Sequence, residues 1–294
     1  MSALDPHERP PEQIRAVYKK YQRMKSDDLE KDTAIVDPER QLHVDPDAKL
    51  RVAGLLIVPS LLPPDTQLTL LSRLLHRDLA QPSHLTNIHT HYHLSYPPSA
   101  SSFFTLPPTS PAAVAHPKDP SVHRPLNISQ LLNKKMRWTT LGGQYDWTAK
   151  RYPDATPPAF PSDVKGLLED IFTNTKAEAA IVNLYSPGDT LSVHRDVAEG
   201  SDAGLISISL GCDAIFVIGT SRVLAIRLRS GSAVCMSGAS RFAWHGVPQI
   251  VPDTCPAYLE SWPAGKTVDD TEFEAWRGWM ARKRINVNVR QMWD

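Results

Sequence analysis

Residues 205–236 run LISISLGCDAIFVIGTSRVLAIRLRSGSAVCM. Four short segments rich in Ile, Val, Leu and Ser predict strands over Leu205–Leu210, Ala214–Ile218, Val223–Leu228 and Ala233–Met236. Gly211, Gly219 and the Ser230-Gly231 pair supply the turns between them. Upstream, Ala180–Tyr185 is a further strand closed by Pro187-Gly188. Downstream, Ser237-Gly238 ends the run and Arg284–Arg290 alternates strictly. Closely spaced strands after a helical segment imply an α+β chain, a β-sandwich or jelly roll carried on N-terminal helices.

Outside that core the signals change. Pro11–Lys25 carries good helix formers after a proline, Pro64–Leu79 has leucines at helical spacing, and Pro161-Ser162-Asp163 starts a helix over Val164–Phe172. Eight of the 26 prolines fall between Pro97 and Pro125, among Ser, Thr and Ala, which predicts an irregular, partly mobile loop. The expected division is a helical extension with a Pro-rich loop over residues 1–130 and a jelly-roll domain over 131–294.

A 294-residue chain can bury one sizeable core. Its 32 basic and 32 acidic residues balance, so contact with nucleic acid would need a local basic patch rather than a global field. Cys212, Cys235 and Cys255 have no CxxC spacing, which argues against a disulfide framework or a cysteine zinc site. They point to a reducing intracellular compartment: nucleus or cytoplasm, with the mitochondrion left open. No apolar run approaches the roughly 20 residues of a membrane span, and the N-terminus, MSALDPHERPPEQ, has no hydrophobic leader core. A soluble monomer is expected.

Non-haem iron oxygenases hold Fe(II) with two histidines and one carboxylate on one face, leaving other positions open. The local sign is His-x-Asp with a distant His, and the chain holds three copies. His43-Val-Asp45 lies in a polar, proline-bounded loop with no strand before it. His76-Arg-Asp78 ends the predicted helix, where positions i and i+2 point to different faces. Its HRDL text also lacks the Gly-rich loop, DFG and asparagine of a kinase. His194-Arg-Asp196 follows a strand and a Pro-Gly turn, and in extended chain i and i+2 project to one side. His245, between predicted strands in SRFAWHG (240–246), is the distant candidate; taken alone it reads more simply as a loop histidine.

In RINVNVR (284–290), alternation puts Arg284, Asn286, Asn288 and Arg290 on one face and Ile285, Val287 and Val289 on the other. Such a strand can be merely half exposed. It can also serve a dicarboxylate co-substrate, because guanidinium forks bind carboxylates bidentately. Asn183 and Tyr185 offer a second polar pair on the earlier strand. A metal triad beside an arginine-bearing strand is what 2-oxoglutarate chemistry requires.

NLYSPGDTLSVHRD (183–196), SISLG (207–211), AIF (214–216), SGASR (237–241), His245 and the Arg284-x-Asn286, Arg290-Gln291 strand together resemble the AlkB dioxygenases, in order, over about residues 130–294. Within that family the likeness is to the eukaryotic AlkB homologue one subgroup, on MRWTTLG (136–142), Tyr145-x-Trp147, FPSD (160–163) and Trp276. The resemblance implies a double-stranded β-helix (jelly-roll) core and an Fe(II)- and 2-oxoglutarate-dependent dioxygenase using O2. It implies that His194, Asp196 and His245 bind iron, and that Asn183, Tyr185, Arg284, Asn286 and Arg290 bind or orient 2-oxoglutarate. Trp138 and Tyr145 match the family's nucleotide-recognition lid, here about 131–160. Where the bacterial pattern has a base-contacting acid two residues past the ligand aspartate, this chain has Ala198 followed by Glu199, which makes Glu199 a substrate candidate.

The implied reaction hydroxylates an N-methyl carbon and releases formaldehyde, succinate and CO2. The implied substrates are N6-methyladenine in DNA or 1-methyladenine in tRNA, in a single-stranded, bulged or flipped position. Lys134, Lys135, Arg137, Lys150 and Arg151 bracket Trp138, Tyr145 and Trp147, which suits phosphate contact and stacking or else a solvated loop. His89, His91 and His93 alternate without a carboxylate or cysteine beside them, which favours exposure or substrate contact over a metal. Two rival readings remain. One is a histone or protein demethylase acting on methyl-lysine with the same iron site. The other is a catalytically inactive nucleic-acid-binding module, against which the intact triad and both C-terminal arginines argue.

Overall fold

The computed structural model describes residues 4–5, 7–42, 50–146, 151–153, 155–219, 222–265 and 271–293. Its strands in chain order begin with β1 (Ile35–Val36), β2 (Leu50–Val52), β3 (Leu55–Val58), β4 (Tyr92–Leu94), β5 (Ala113–Pro117), β6 (Leu126–Asn127), β7 (Trp138–Gly142) and β8 (Ala179–Tyr185). They continue with β9 (Leu191–His194), β10 (Leu205–Gly211), β11 (Ala214–Gly219), β12 (Val223–Leu228), β13 (Ala233–Met236), β14 (Trp244–Ile250) and β15 (Arg284–Arg290).

A seven-stranded sheet has the order β2-β3-β13-β10-β15-β8-β7, and a five-stranded sheet the order β1-β12-β11-β14-β9. From β8 onward the chain passes back and forth between them. β8, β10, β13 and β15 lie in one sheet; β9, β11, β12 and β14 lie in the other. This eight-strand double sheet is the expected jelly roll.

Period-2 alternation decides what each face of the larger sheet meets. Ile285, Val287 and Val289 of β15 and Val182 and Leu184 of β8 are buried in one cluster with Leu71, Leu74, Leu75, Leu79 and Leu168 of the helical segments. Arg284, Asn286 and Arg290 turn the other way, toward the five-stranded sheet, and are buried too. β15 is therefore covered on both faces, and its polar side lines the interior.

The helix Pro64–Ser72 continues as a π-helical turn over Arg73–Asp78, close to the expected span. Leu55, Ile57, Phe103 and Phe104 join the same cluster, so the segments between residues 55 and 130 share one core with the rest. The Pro-rich stretch differs from the expected irregular loop. It holds β5 and part of a three-stranded sheet β4-β5-β6. Phe104 within it sets its ring edge-on to Trp262, Trp276 and Trp279 at 5.1–5.4 Å. Two adjacent aromatics anchor this stretch, and they leave no periodic trace in the sequence.

The outer face of the five-stranded sheet is closed by α1 (Glu12–Arg23), whose Ile14 and Tyr21 pack with Ile215, Val217 and Ala225. Among the described residues no helix is long and apolar enough to cross a membrane.

Candidate active site

His194 ends β9, and the antiparallel register of β9 with β14 sets His245 directly opposite it. His245 thus lies inside a strand, not between strands. Gly246 and Pro248 mask that strand in the sequence, and the register shift between His245 and Val247 is where such residues are tolerated. Cross-strand pairing brings the two imidazoles to 4.4 Å between centroids. Asp196 follows on the same side, with Oδ2 3.4 Å from His245 Nε2. One ligand atom from each of the three lies within 4.8 Å of the others, and no other such trio exists among the described residues.

The local hydrogen bonds prepare these groups as ligands. His194 Nδ1 donates to the Ser192 carbonyl and His245 Nδ1 to the Ala243 carbonyl, both at 2.9 Å. With Nδ1 as donor, each Nε2 keeps its lone pair toward the cluster. Burial, helped by His245, pulls His194 down to about 4, so it is neutral at ordinary pH. Burial alone would raise Asp196, but the Arg290 charge holds its carboxyl well below the usual range. Two imidazoles and one carboxylate are a donor set that Fe(II) accepts.

The trio faces a cavity of about 310 Å³ between the two sheets, lined also by Asn183, Ser207, Phe216, Arg284, Asn286 and Arg290. Arg284 is 2% exposed. It donates to neutral oxygens, the Cys212 and Leu228 carbonyls at 2.9 and 3.2 Å and Ser209 Oγ at 2.6 Å. Desolvation pulls this guanidinium down to about 10. Asn286 donates to Ser207 Oγ and the Ile208 carbonyl. Tyr185 sits opposite Arg284 in register, outside the cavity lining, and its buried hydroxyl has no hydrogen-bond partner. Burial raises its pKa. A buried cation with neutral partners beside an orphaned hydroxyl suits the carboxylate of a dicarboxylic acid.

Two candidates are placed differently from expectation. Arg290 donates from Nη2 to Asp196 Oδ1 at 2.7 Å and sets Nε 2.8 Å from Glu199 Oε1, so two protein carboxylates already engage it. Its Nη1 and Nε are both buried without a hydrogen bond, so the Nε contact with Glu199 is an ion pair only. Glu199, the expected base contact, lines the cavity but has one oxygen on Arg290 and the other 3.2 Å from Arg241.

Tyr145 lines the cavity as expected. Tyr152, which the sequence reading missed, lines it too and meets Tyr145 edge-on at 5.2 Å between centroids. Its only signal was an aromatic among prolines close to Arg151. Trp138 is half-buried on β7 opposite Asn183, hence on the cavity side of the sheet at its edge, but outside the lining. Lys134, Lys135, Arg137 and Arg151 are exposed, and Arg137 pairs with Asp189. Trp147, Lys150 and His43–Asp45 lie outside the described residues.

His76 is stacked on Phe273 and bonded to Ser102, while Asp78 pairs with Arg77, so that copy of the motif is structural. His89 caps the turn after Thr86; His91 and His93 are exposed. Arg195, between His194 and Asp196, also lines the cavity, lies 4.5 Å from the Trp244 ring centroid and pairs with Glu8.

Residues 54–290 match the model of the 2OG-Fe(II) oxygenase superfamily. The chain is 44% identical to the N6-methyladenosine RNA demethylase ALKB1 of Pyricularia oryzae, over 99% of this chain and 98% of that protein. It is 39% identical to the tRNA demethylase abh1 of Schizosaccharomyces pombe, over 82% and 80%. The solved structure of OsALKBH1 shares the fold with a TM-score of 0.52 and 19% identity, over 83% of this chain and 99% of that one. With a His-Asp-His cluster and a buried arginine on one cavity, the chain belongs to the 2OG-Fe(II) oxygenase superfamily, in its AlkB-type branch.

Proposed function

We propose that this chain removes N-methyl groups from adenine bases of unpaired RNA, tRNA included, by Fe(II)- and 2-oxoglutarate-dependent oxidation. One arrangement carries the reading. A cluster of two histidines and an aspartate and a buried arginine with neutral partners share a cavity at which two tyrosines converge. The relatives named for N6-methyladenosine in RNA and for tRNA support the substrate class.

His194, Asp196 and His245 would hold the iron. Bound there with 2-oxoglutarate and O2, it supplies the oxidation of N-CH3 to N-CH2OH while 2-oxoglutarate leaves as succinate and CO2; the hydroxymethyl group then departs as formaldehyde. The protein's part is binding and orientation. Arg284 and Asn286 receive a carboxylate of the co-substrate on the β15 wall of the cavity. Asn183 lines the same cavity opposite Asn286, and Tyr185 stands opposite Arg284 in register, outside the lining. Tyr145 and Tyr152 offer ring faces to an extruded base, which a duplex would keep out of reach. All of these groups lie on one chain, so a monomer suffices.

The test incubates the protein with Fe(II), 2-oxoglutarate, ascorbate and oligonucleotides carrying N6-methyladenine or 1-methyladenine, in RNA and DNA, read by nucleoside mass spectrometry. Loss of the methylated nucleoside with matching formaldehyde and succinate is expected for unpaired RNA. Turnover of methyl-lysine peptides alone, or succinate formed without base demethylation, would overturn the reading.

A further inference from the structure

A chain of buried charges runs from Asp196 into the protein. Asp196 Oδ1 accepts from Arg290 Nη2 at 2.7 Å, Arg290 Nε lies 2.8 Å from Glu199 Oε1, and Glu199 Oε2 lies 3.2 Å from Arg241 Nη2. Arg241 then turns back on the segment that carries both acids. Its Nη1 donates to the Asp196 carbonyl at 3.0 Å and its Nε to the Ala203 carbonyl at 2.8 Å. Residues 195–204 form no strand or helix, so no ladder holds Asp196 in place. Arg241 is 1% exposed and the Glu199 side chain 3%. Two cations and two anions are thus balanced in dry surroundings, where an unpaired charge is costly.

The consequence falls on Asp196. One of its oxygens is held by Arg290, and the other is 3.4 Å from His245 Nε2 on the ligand side. A carboxylate held in that way offers a metal one oxygen and leaves more of the coordination sphere open. We propose that Glu199 and Arg241 are positioning residues that act through Arg290 and the Asp196 backbone to hold Asp196 as a one-oxygen ligand. This rests on the triad being the iron site, and it assigns Glu199 to support of that site in place of base contact.

The test uses the full chain stripped of metal and titrated with Mn(II) alone, by calorimetry, alongside KM for a methylated oligonucleotide and the melting temperature. Glu199→Gln keeps shape and removes charge. The double variant Glu199→Gln/Arg241→Met removes both ends of one ion pair and strands no new charge between them. Arg241→Lys keeps the charge but loses the fork that reaches three acceptors. Each should bind Mn(II) roughly 10–100-fold more weakly, with the oligonucleotide KM near that of the parent.

Parent-like Mn(II) affinity in folded variants would make the cluster a fold-stabilising feature only and overturn the proposal. A raised oligonucleotide KM with unchanged metal affinity would also overturn it and return Glu199 to the base. Should one variant fail to fold, the others decide. A His194→Ala control that binds Mn(II) like the parent would instead refute the iron-site reading itself.

Discussion

Replacing Arg284 by methionine removes a guanidinium while keeping most of the length of a side chain buried between the two sheets. Desolvation pulls this group from the ordinary guanidinium range down to about 10, only partly opposed by Asp213 and Tyr185. At 1.36 kcal/mol for each pH unit, the buried cation sits about 3 kcal/mol above its hydrated form. The folded chain binds that proton more weakly than the unfolded one, so the penalty is present at every pH below about 10. A carboxylate seated against the guanidinium recovers free energy of this order. Its loss corresponds to about a hundredfold in affinity for the co-substrate. The assay is the initial rate of succinate formation against 2-oxoglutarate concentration at saturating oligonucleotide, with oligonucleotide binding followed separately by fluorescence anisotropy. Arg284→Met should raise KM for 2-oxoglutarate about a hundredfold and leave oligonucleotide affinity nearly unchanged. The thermal stabilisation that 2-oxoglutarate gives the parent should vanish. Unchanged 2-oxoglutarate saturation, or an equal loss of nucleic-acid affinity, would refute the reasoning.

His194→Ala, Asp196→Ala and His245→Ala should each abolish Mn(II) binding and succinate formation with an unchanged circular dichroism spectrum, while His76→Ala retains both; the reverse pattern would put the metal at the wrong copy of the motif. Trp138→Ala, on a half-buried edge position, should weaken binding of an unpaired methylated oligonucleotide roughly tenfold, as loss of about 1–3 kcal/mol of stacking requires. A large drop in melting temperature instead would make Trp138 a core residue. Lys283 is pulled from 10.5 to about 8 by burial beneath Ser186 and Trp279. Between those values the unfolded chain holds more protons, so stability of the parent relative to Lys283→Met should rise with pH by up to about 3 kcal/mol. Urea melts at either end of that window would show a flat or falling difference if the group were solvated.

The jelly roll was legible because its strands are short, β-branched and separated by glycine. Alternation in Arg284–Arg290 also announced two unlike faces correctly. It could not announce that both are buried, since a strand half exposed to water and one facing an internal cavity have the same period. β14 was hidden for a different reason: Gly246 and Pro248 read as a turn, and only pairing with β11 and β9 makes that segment a strand. His194 and Asp196 stood out by spacing and context and His245 through the family resemblance, whereas the partners of Arg290 had no such signal. Glu199 and Arg241 are far apart in the chain, and contact between them depends on a loop with no periodic signal. Phe103 and Phe104 show the same limit, since two adjacent aromatics carry no phase.

Among the described residues β9 is the outermost strand of its sheet, with β14 as its one neighbour, and the Arg195 guanidinium lies over the Trp244 ring. Its amide groups on the far side have no ladder to protect them, so hydrogen exchange there should be governed by local fraying, well below the global unfolding free energy. An ion held by His194 and His245 would tie that fraying edge to the interior and close a long loop of chain. Release of the ion and detachment of β9 would then be coupled. The resistance of residues 191–196 to exchange and to proteases should therefore rise with the concentration of divalent ion, as mass action dictates for any ligand that binds the closed form alone.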